Sequence, residues 1–297
     1  MWFMFSLLTI LAWGGSDLFS KMGSKSDDKS SHWKLVIAVG LVMGVHAAAQ
    51  IILTGYTYNP INIIRYLPVS SLYILSMIFG YVGLRYIELS VSSPICNSSG
   101  AITCVLCLVI LGQKATGLQL GAVALVCAGV LGLAIMEKRR AGRERALSGA
   151  QDERKYTRSA IAILFPVLYC LIDGAASFTD AIYLEGIMSE TDVNLSYEFT
   201  FLAVALGALA YVLFIRKERI HIPREKHKLF AAVCETAGQF TYVYAMADRA
   251  VLAAPMIASY SMVSVLLSRI ILKEKLSRSH YLIIGGILAG ILILGIE

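Results

Sequence analysis

Ten long apolar blocks constrain the fold of this chain more than any other feature of its sequence. They cover approximately residues 3–22, 34–54, 66–84, 90–111, 117–136, 159–184, 195–215, 229–247, 251–272 and 280–296. A helix needs roughly 20 apolar residues to cross the hydrocarbon core of a bilayer. Backbone amides in lipid must be hydrogen-bonded within their own segment, so each block is expected to be a helix. The alternating strands of a membrane barrel are absent from the sequence. The blocks therefore predict an all-α integral membrane protein with ten transmembrane helices.

Composition agrees with this prediction. Hydrophobic residues make up 57% of the chain and charged residues 15%, against about 45–50% and 25% in soluble domains. No basic residues precede the first block and no small-residue cleavage pattern follows it, so we expect it to stay as a spanning helix rather than a cleaved signal peptide. The net charge of +6 comes from loop residues, so we expect no nucleic-acid partner.

The basic residues are distributed asymmetrically between the predicted loops. All but three of the 26 lysines and arginines fall on one side of the predicted bundle. The exceptions are Arg65, Lys114 and Arg249. Cytoplasmic loops carry the excess of lysine and arginine. The distribution predicts a multi-pass protein of the cell inner (cytoplasmic) membrane with both termini outside the cytoplasm.

The two halves of the sequence resemble each other. A shift of 161 residues places Pro94 on Pro255 and Lys114 on Lys275, and it also aligns two glycine-containing final helices. Five helices per copy is an odd number, so the second copy would enter the membrane from the opposite side. We therefore predict two inverted five-helix repeats, at residues 1–136 and 159–297, which is typical of alternating-access carriers. The basic segment 137–158 would be a cytoplasmic linker, and its charge suits contact with anionic membrane lipids.

Three stretches resemble a known family. They are AWGGSDLFSK (12–21), SVSSPICNSSGAITCVLCLVILGQK (90–114) and VLAAPMIASYSMVSVLLSRIILKEK (251–275). Together with the ten helices they are similar to the drug/metabolite transporter superfamily, in particular its EamA-type carriers. The first half departs from the family pattern at Gly112-Gln113, where the second half has Lys273-Glu274. The resemblance implies the fold and a transport function. It does not identify the substrate, because members carry amino acids, amines, sugars, nucleotide-linked compounds and drugs.

Several carboxyl groups fall inside the predicted spans, where a charged side chain costs at least about 2.5–3.5 kcal/mol on insertion scales. Asp173 and Glu235 lie near the middle of their helices, and Asp17 lies farther toward the cytoplasmic side with Lys21 one turn beyond it. Asp180 is expected nearer the outer interface, and Glu198 is expected to be solvated at the outer end of its helix. The carboxylates and neighbouring tyrosines favour a cationic or amine-bearing substrate.

Polar residues at helical spacing extend these positions into stripes that could face a cavity. Such stripes could instead be contacts between helices, because serine, asparagine and tyrosine often hydrogen-bond across membrane interfaces. His46 is expected to be such an interface residue rather than a proton relay. The predicted substrate-binding residues are Trp13, Asp17, Tyr73, Asn97, Tyr169, Asp173, Ser177, Glu235, Gln239 and Tyr260.

Pro94 and Pro255 are predicted helix breaks. Each proline removes a backbone donor and frees a carbonyl one turn earlier, and in transporters such a gap often lines the cavity. The alternative is that both prolines lie in the first turn of their helices, where proline is tolerated.

These observations favour a secondary transporter that moves a small polar metabolite by alternating access. Asp173 and Glu235 are candidates for proton coupling, since a carboxyl group that loses hydration binds a proton more readily. The first alternative is a multidrug or toxic-compound exporter of the same fold, and the second is a membrane receptor or scaffold.

An enzyme is not expected, because the motifs of membrane proteases and hydrolases are absent. We expect no cofactor and no metal, since the one C-x-x-C, at Cys104 and Cys107, lacks a second ligand pair. A monomer is expected, with a dimer as the alternative.

Overall fold

The computed structural model describes residues 1–24, 28, 30–86, 96–148, 160–271 and 276–296. These residues form ten α-helices and no strand. The helices are α1 (Trp2–Gly23), α2 (Ser31–Thr54), α3 (Ile61–Tyr86), α4 (Ser99–Val109), α5 (Gly117–Ser148), α6 (Ala160–Leu184), α7 (Glu190–Ala210), α8 (Lys226–Ile257), α9 (Tyr260–Ile271) and α10 (Arg278–Ile296). A π-helical turn, Tyr211–Ile215, continues α7, and a short 3-10 helix, Ile222–Glu225, precedes α8.

Many of these helices are suited to a bilayer. Within the described residues, six are long and apolar enough to cross a membrane, and a seventh span arises if α8 and α9 are taken as one bent helix. Large apolar side chains such as those of Val45 and Leu53 point outward on α2 and are 72% and 84% exposed. An apolar outer surface of this kind is stable in contact with lipid. The all-α membrane fold is confirmed, while the number of ten spans stays a prediction.

Most helix bounds agree with the apolar blocks, but α3 begins before its block, at Ile61, and there are three further differences. Helix α7 begins at Glu190, where Ser189 caps it by accepting a hydrogen bond from the Asp192 backbone N–H. The predicted break between the blocks 229–247 and 251–272 is present at Arg249 (φ −154°, ψ 73°), but the chain breaks again in the turn just before Tyr260. The third difference concerns the predicted linker, since α5 continues as far as Ser148. Residues 149–159 lie outside the described part.

The helices of the two halves pack against each other. Helix α1 lies on α8 and α9, α3 lies on α6 and α7, α2 lies on α7, and α5 lies on α10. These pairings are preserved when each helix of one half is exchanged for its counterpart in the other. The starts of α4 and α5 also fall on those of α9 and α10 under the 161-residue shift. A repeat predicts this correspondence, and the opposite orientation of the halves stays a prediction.

The contact between α2 and α7 requires a glycine. A Cβ atom at Gly40 would lie 2.4 Å from Ala205 Cβ and 2.6 Å from the Phe201 carbonyl oxygen. Both distances are shorter than real Cβ contacts, and a backbone carbonyl cannot rotate away. The two helix backbones therefore approach as closely as they do because position 40 has no side chain, as is common in membrane helix pairs.

We expect Gly40→Ala to destabilise the protein by about 1–3 kcal/mol, the usual cost of overpacking a core. Gly207→Ala on α7 is the matched control, because a Cβ at position 207 meets no atom within 4 Å. Thermal unfolding of the purified variants in detergent measures the difference. Equal unfolding temperatures for the two variants would contradict the close packing of α2 on α7.

Candidate functional site

A cavity of about 160 Å³ lies between the two halves. Side chains of α1, α3 and α4 line it from the first half, and side chains of α6, α7, α8 and α9 line it from the second. The ten predicted substrate-binding residues all line this cavity: Trp13, Asp17, Tyr73, Asn97, Tyr169, Asp173, Ser177, Glu235, Gln239 and Tyr260. The helical stripes therefore converge on one space, and substrate binding by these residues stays a prediction.

Three carboxyl groups face the cavity, and each has a serine partner. Asp17 accepts a short hydrogen bond from Ser264 Oγ on α9, and Lys21 lies near enough to interact with it electrostatically.

The other two carboxyl groups come from the second half. Ser76 Oγ donates to Asp173 Oδ1 at 3.4 Å, and Ser16 hydrogen-bonds to Glu235. Glu235 also lies within electrostatic range of Asp17 and Asp173. Within the described part of the chain, no lysine, arginine or histidine lines the cavity. The cavity thus concentrates negative charge.

Aromatic rings form one wall. The Trp13 indole stacks on Tyr242, with ring centroids 5.1 Å apart and planes at 29°. Tyr260 meets the same indole edge-on at 5.9 Å. Faces of indole and phenol rings attract cations through their quadrupoles. The wall therefore adds to the attraction that the carboxyl groups exert on a cation.

Two buried donors in the wall lack acceptors. Trp13 Nε1 and Gln239 Nε2 make no hydrogen bond to the described residues. An unpaired buried donor costs about 1–3 kcal/mol. A bound molecule with hydroxyl, carbonyl or carboxylate oxygens would remove this cost, so the cavity suits a ligand that carries acceptors as well as positive charge.

Hydroxyl groups connect α3, α6 and α8 at one edge of the cavity. The hydroxyl oxygens of Tyr73 and Tyr242 are 2.7 Å apart, and Tyr73 donates to Ser177 Oγ at 3.2 Å. Tyr197 packs its ring edge-on against Tyr73 at 5.9 Å. These contacts hold the tyrosine rings in place between the two halves.

Sequence reasoning missed several residues of the lining. Ser16, Ser20, Met77 and Tyr242 line the cavity but are absent from the predicted binding set. Each lies three or four residues from a predicted residue on the same helix, so helical spacing could have placed them there. The remaining residues of the lining are Gly80, Cys96, Ser99, Gly100, Tyr197, Ala254, Ile257 and Ala258. Tyr197 was missed because the apolar block starts at residue 195, which put this tyrosine at a helix end.

The expectation for Glu198 is wrong. Its side chain is fully buried on α7, and His46 Nδ1 lies 2.8 Å from Glu198 Oε1. Because α7 begins at Glu190, residue 198 lies about 12 Å along the helix rather than at its end. His46 on α2 contacts the other half, in agreement with its expected role as an interface residue.

The two prolines have different outcomes. Pro94 lies outside the described residues. Pro255 lies inside α8, so the alternative of a first-turn proline is wrong for this position. Pro255 itself is absent from the lining, which includes Ala254, Ile257 and Ala258 around the break.

A network of ion pairs joins the two halves at the side of the basic loops. Lys34 Nζ lies 2.9 Å from Asp28 Oδ2 and 3.7 Å from Glu218 Oε2. Partial burial disfavours the charged Asp28 carboxylate, but the hydrogen bond and charge of Lys34 hold its pKa below the ordinary value. The contact of Asp28 therefore stabilises the folded protein at neutral pH and is lost as pH falls through that lowered pKa.

Comparison with known proteins identifies a family for the second half of the chain. Residues 160–296 match the sequence model of the EamA-like transporter family. No curated protein matches the chain, whereas 28 solved chains match it in structure. One of these, titled only "Crystal structure of protein", has a TM-score of 0.74 and 12% identity over 99% of this chain and 96% of its own. At that identity the likeness shows the fold alone. Residues 160–296 are thus a domain of the EamA-like transporter family.

Proposed function

We propose that this protein is a transporter that moves a small amine-bearing or cationic metabolite across the cytoplasmic membrane by alternating access. The observation that carries the proposal is the cavity between the halves, where Asp17, Asp173 and Glu235 face the space without a lysine, arginine or histidine among the described lining residues. An ammonium group would compensate this charge. The Trp13 and Gln239 donors would hydrogen-bond to oxygen atoms of the same molecule.

Alternating access is proposed from the arrangement of the helices. Each half supplies one side of the cavity, and the helix pairings are preserved when the halves are exchanged. Two inverted repeats that rock around a fixed central site would expose the cavity to each side in turn. Both termini would then lie outside the cytoplasm. Labelling of a cysteine at position 145 from outside intact cells would contradict that orientation.

Proton exchange is the proposed mode of coupling. A cationic substrate and a proton would compete for Asp173 or Glu235, because both neutralise the same carboxylate. A carboxyl group could then bind a proton on one side of the membrane and release it on the other. The alternative is that these carboxylates stay charged and bind substrate in uniport or sodium-coupled transport.

A thermal-shift screen of the purified protein against a metabolite library tests the substrate class. A ligand at 100 times its Kd stabilises a protein by about 2.7 kcal/mol. We expect amines to raise the unfolding temperature and phosphorylated anions to have no effect. Stabilisation by anions alone would overturn the proposal. Stabilisation by many unrelated lipophilic cations would favour a multidrug exporter, and amine binding without flux in proteoliposomes would favour a receptor.

A further inference from the structure

A fourth buried carboxyl group, that of Asp180 on α6, lies outside the cavity. Its side chain is fully buried and is not among the residues that line the cavity. The Tyr66 hydroxyl on α3 donates to Asp180 Oδ1 at 2.6 Å. The Tyr73 hydroxyl lies within interaction range of the carboxyl group, but Asp180 Oδ2 makes no hydrogen bond of ordinary geometry to any described residue. One oxygen of a buried carboxyl group is therefore held and the other is left without a partner.

The surroundings of Asp180 contain hydroxyl groups but no cation that contacts it. Helix α3 supplies Tyr66 and Tyr73, and α8 supplies Tyr242. Helix α4 also packs on α6. It has no charged side chain, and its only titratable groups are two thiols. On α6 itself, Tyr183 packs edge-on against Tyr66, and Asp173 lies about 10 Å away along the axis. Within the described residues, no lysine, arginine or histidine pairs with Asp180.

Burying an ionised carboxylate without a partner is costly, whereas a protonated carboxyl group carries no net charge. The Tyr66 hydroxyl can donate to Oδ1 in either state, because that oxygen remains an acceptor when the proton is on Oδ2. The geometry is therefore compatible with reversible protonation at the oxygen that has no protein partner.

A tyrosine connects Asp180 to the cavity. The Tyr73 hydroxyl lies close to the Asp180 carboxyl group, and it also contacts the Tyr242 hydroxyl at 2.7 Å and Ser177 Oγ at 3.2 Å. Tyr73, Tyr242 and Ser177 all line the cavity. One hydroxyl group thus separates the buried carboxyl group from the space where substrate is proposed to bind.

We propose that Asp180 is a proton-binding site, separate from the substrate cavity and connected to it through Tyr73. The proposal rests on the proton coupling described above. In the substrate-free protein Asp180 carries a proton. When an ammonium group binds in the cavity, the Asp180 carboxyl group gives this proton to the Tyr73 oxygen, and Tyr73 passes its own hydroxyl proton to water on the side from which the substrate enters. Asp180 takes up a proton again after the substrate has left on the other side, and it holds that proton while the empty protein returns.

Infrared difference spectroscopy of the full-length protein in lipid nanodiscs tests this site, with the proton itself as the probe. The wild type should show the C=O stretching band of a protonated carboxyl group in dry surroundings, and the band should disappear at alkaline pH. Asp180→Asn should lose the part of this band that Asp173→Asn and Glu235→Gln keep. Asp248→Asn should keep it, because Asp248 is an exposed carboxylate whose Oδ2 lies 3.0 Å from the Met1 amino group.

Tyr66→Phe provides a second test if Asp180→Asn fails to fold. It keeps the carboxyl group and removes the hydrogen bond to Oδ1, so the band should shift. A band of wild-type intensity in Asp180→Asn, or a band that stays unshifted in Tyr66→Phe, overturns the proposal. The measurement uses no substrate, so that result would leave amine transport standing. Failure of amines to bind in the thermal-shift screen would, in turn, leave the band in place.

Discussion

Replacing His46 with leucine should destabilise the protein by about 1–3 kcal/mol, the cost of leaving a buried polar group without its hydrogen-bond partner. Glu198 is fully buried on α7, and both of its oxygens lie within 3.0 Å of His46 Nδ1. Without the imidazole, the carboxyl group would stay buried between the halves with no donor. Thermal unfolding of the purified variant in detergent would show the loss as a lower unfolding temperature.

Two further variants show whether the loss of stability comes from breaking the His46–Glu198 pair or from replacing a histidine with leucine in general. The double variant His46→Leu, Glu198→Leu should recover most of the lost stability, because replacing both partners of a buried pair by apolar residues is often neutral. His221→Leu should change little, because His221 is exposed in a loop. A His46→Leu protein that unfolds at the wild-type temperature would show that the pair does not hold α2 on α7.

The helices could be predicted from the sequence because lipid allows few alternatives. The backbone amides of each apolar block had to be hydrogen-bonded within that block, as they are in a helix. Block bounds and helix bounds therefore agree closely for α1 and α10. The start of α7 was missed because Glu190, Asp192 and Asn194 lower the local hydropathy. The signal was nevertheless present, since Ser189 followed three residues later by Asp192 is a helix N-cap pattern. Weighing that pattern above hydropathy would have placed Glu198 inside the helix.

The cavity lining could be predicted in large part because spacing along a helix decides which side chains share a face. Asp173 and Ser177, four residues apart on α6, both line the cavity. Partners on other helices could not be predicted in this way. Tyr66 and Asp180 are 114 positions apart in sequence, and only the packing of α3 on α6 brings them together. The second break, in the turn before Tyr260, has no sequence signal that we can identify.

Removing the charge of either central carboxyl group should have the largest effect on transport. Asp173→Asn and Glu235→Gln keep the shape of the side chain and remove its charge. Truncating one partner of a buried, hydrogen-bonded charge pair costs about 2–5 kcal/mol, which is roughly a 30-fold to several-thousand-fold increase in Kd. Binding of the stabilising amine found in the screen measures this change. Asp248→Asn, on the same helix as Glu235 but outside the cavity, should bind that amine like the wild type.

The same variants decide the coupling when they are placed in proteoliposomes that contain a pH-sensitive dye. Addition of the amine to the wild type should change the internal pH, because proton and substrate move in opposite directions. At least one of Asp173→Asn and Glu235→Gln should abolish that change, since neither amide can carry a proton across. Amine flux without a pH change in the wild type, at several starting pH values, would rule out proton exchange. Saturable transport of a nucleotide sugar that Asp173→Asn leaves undiminished would contradict the cationic substrate itself.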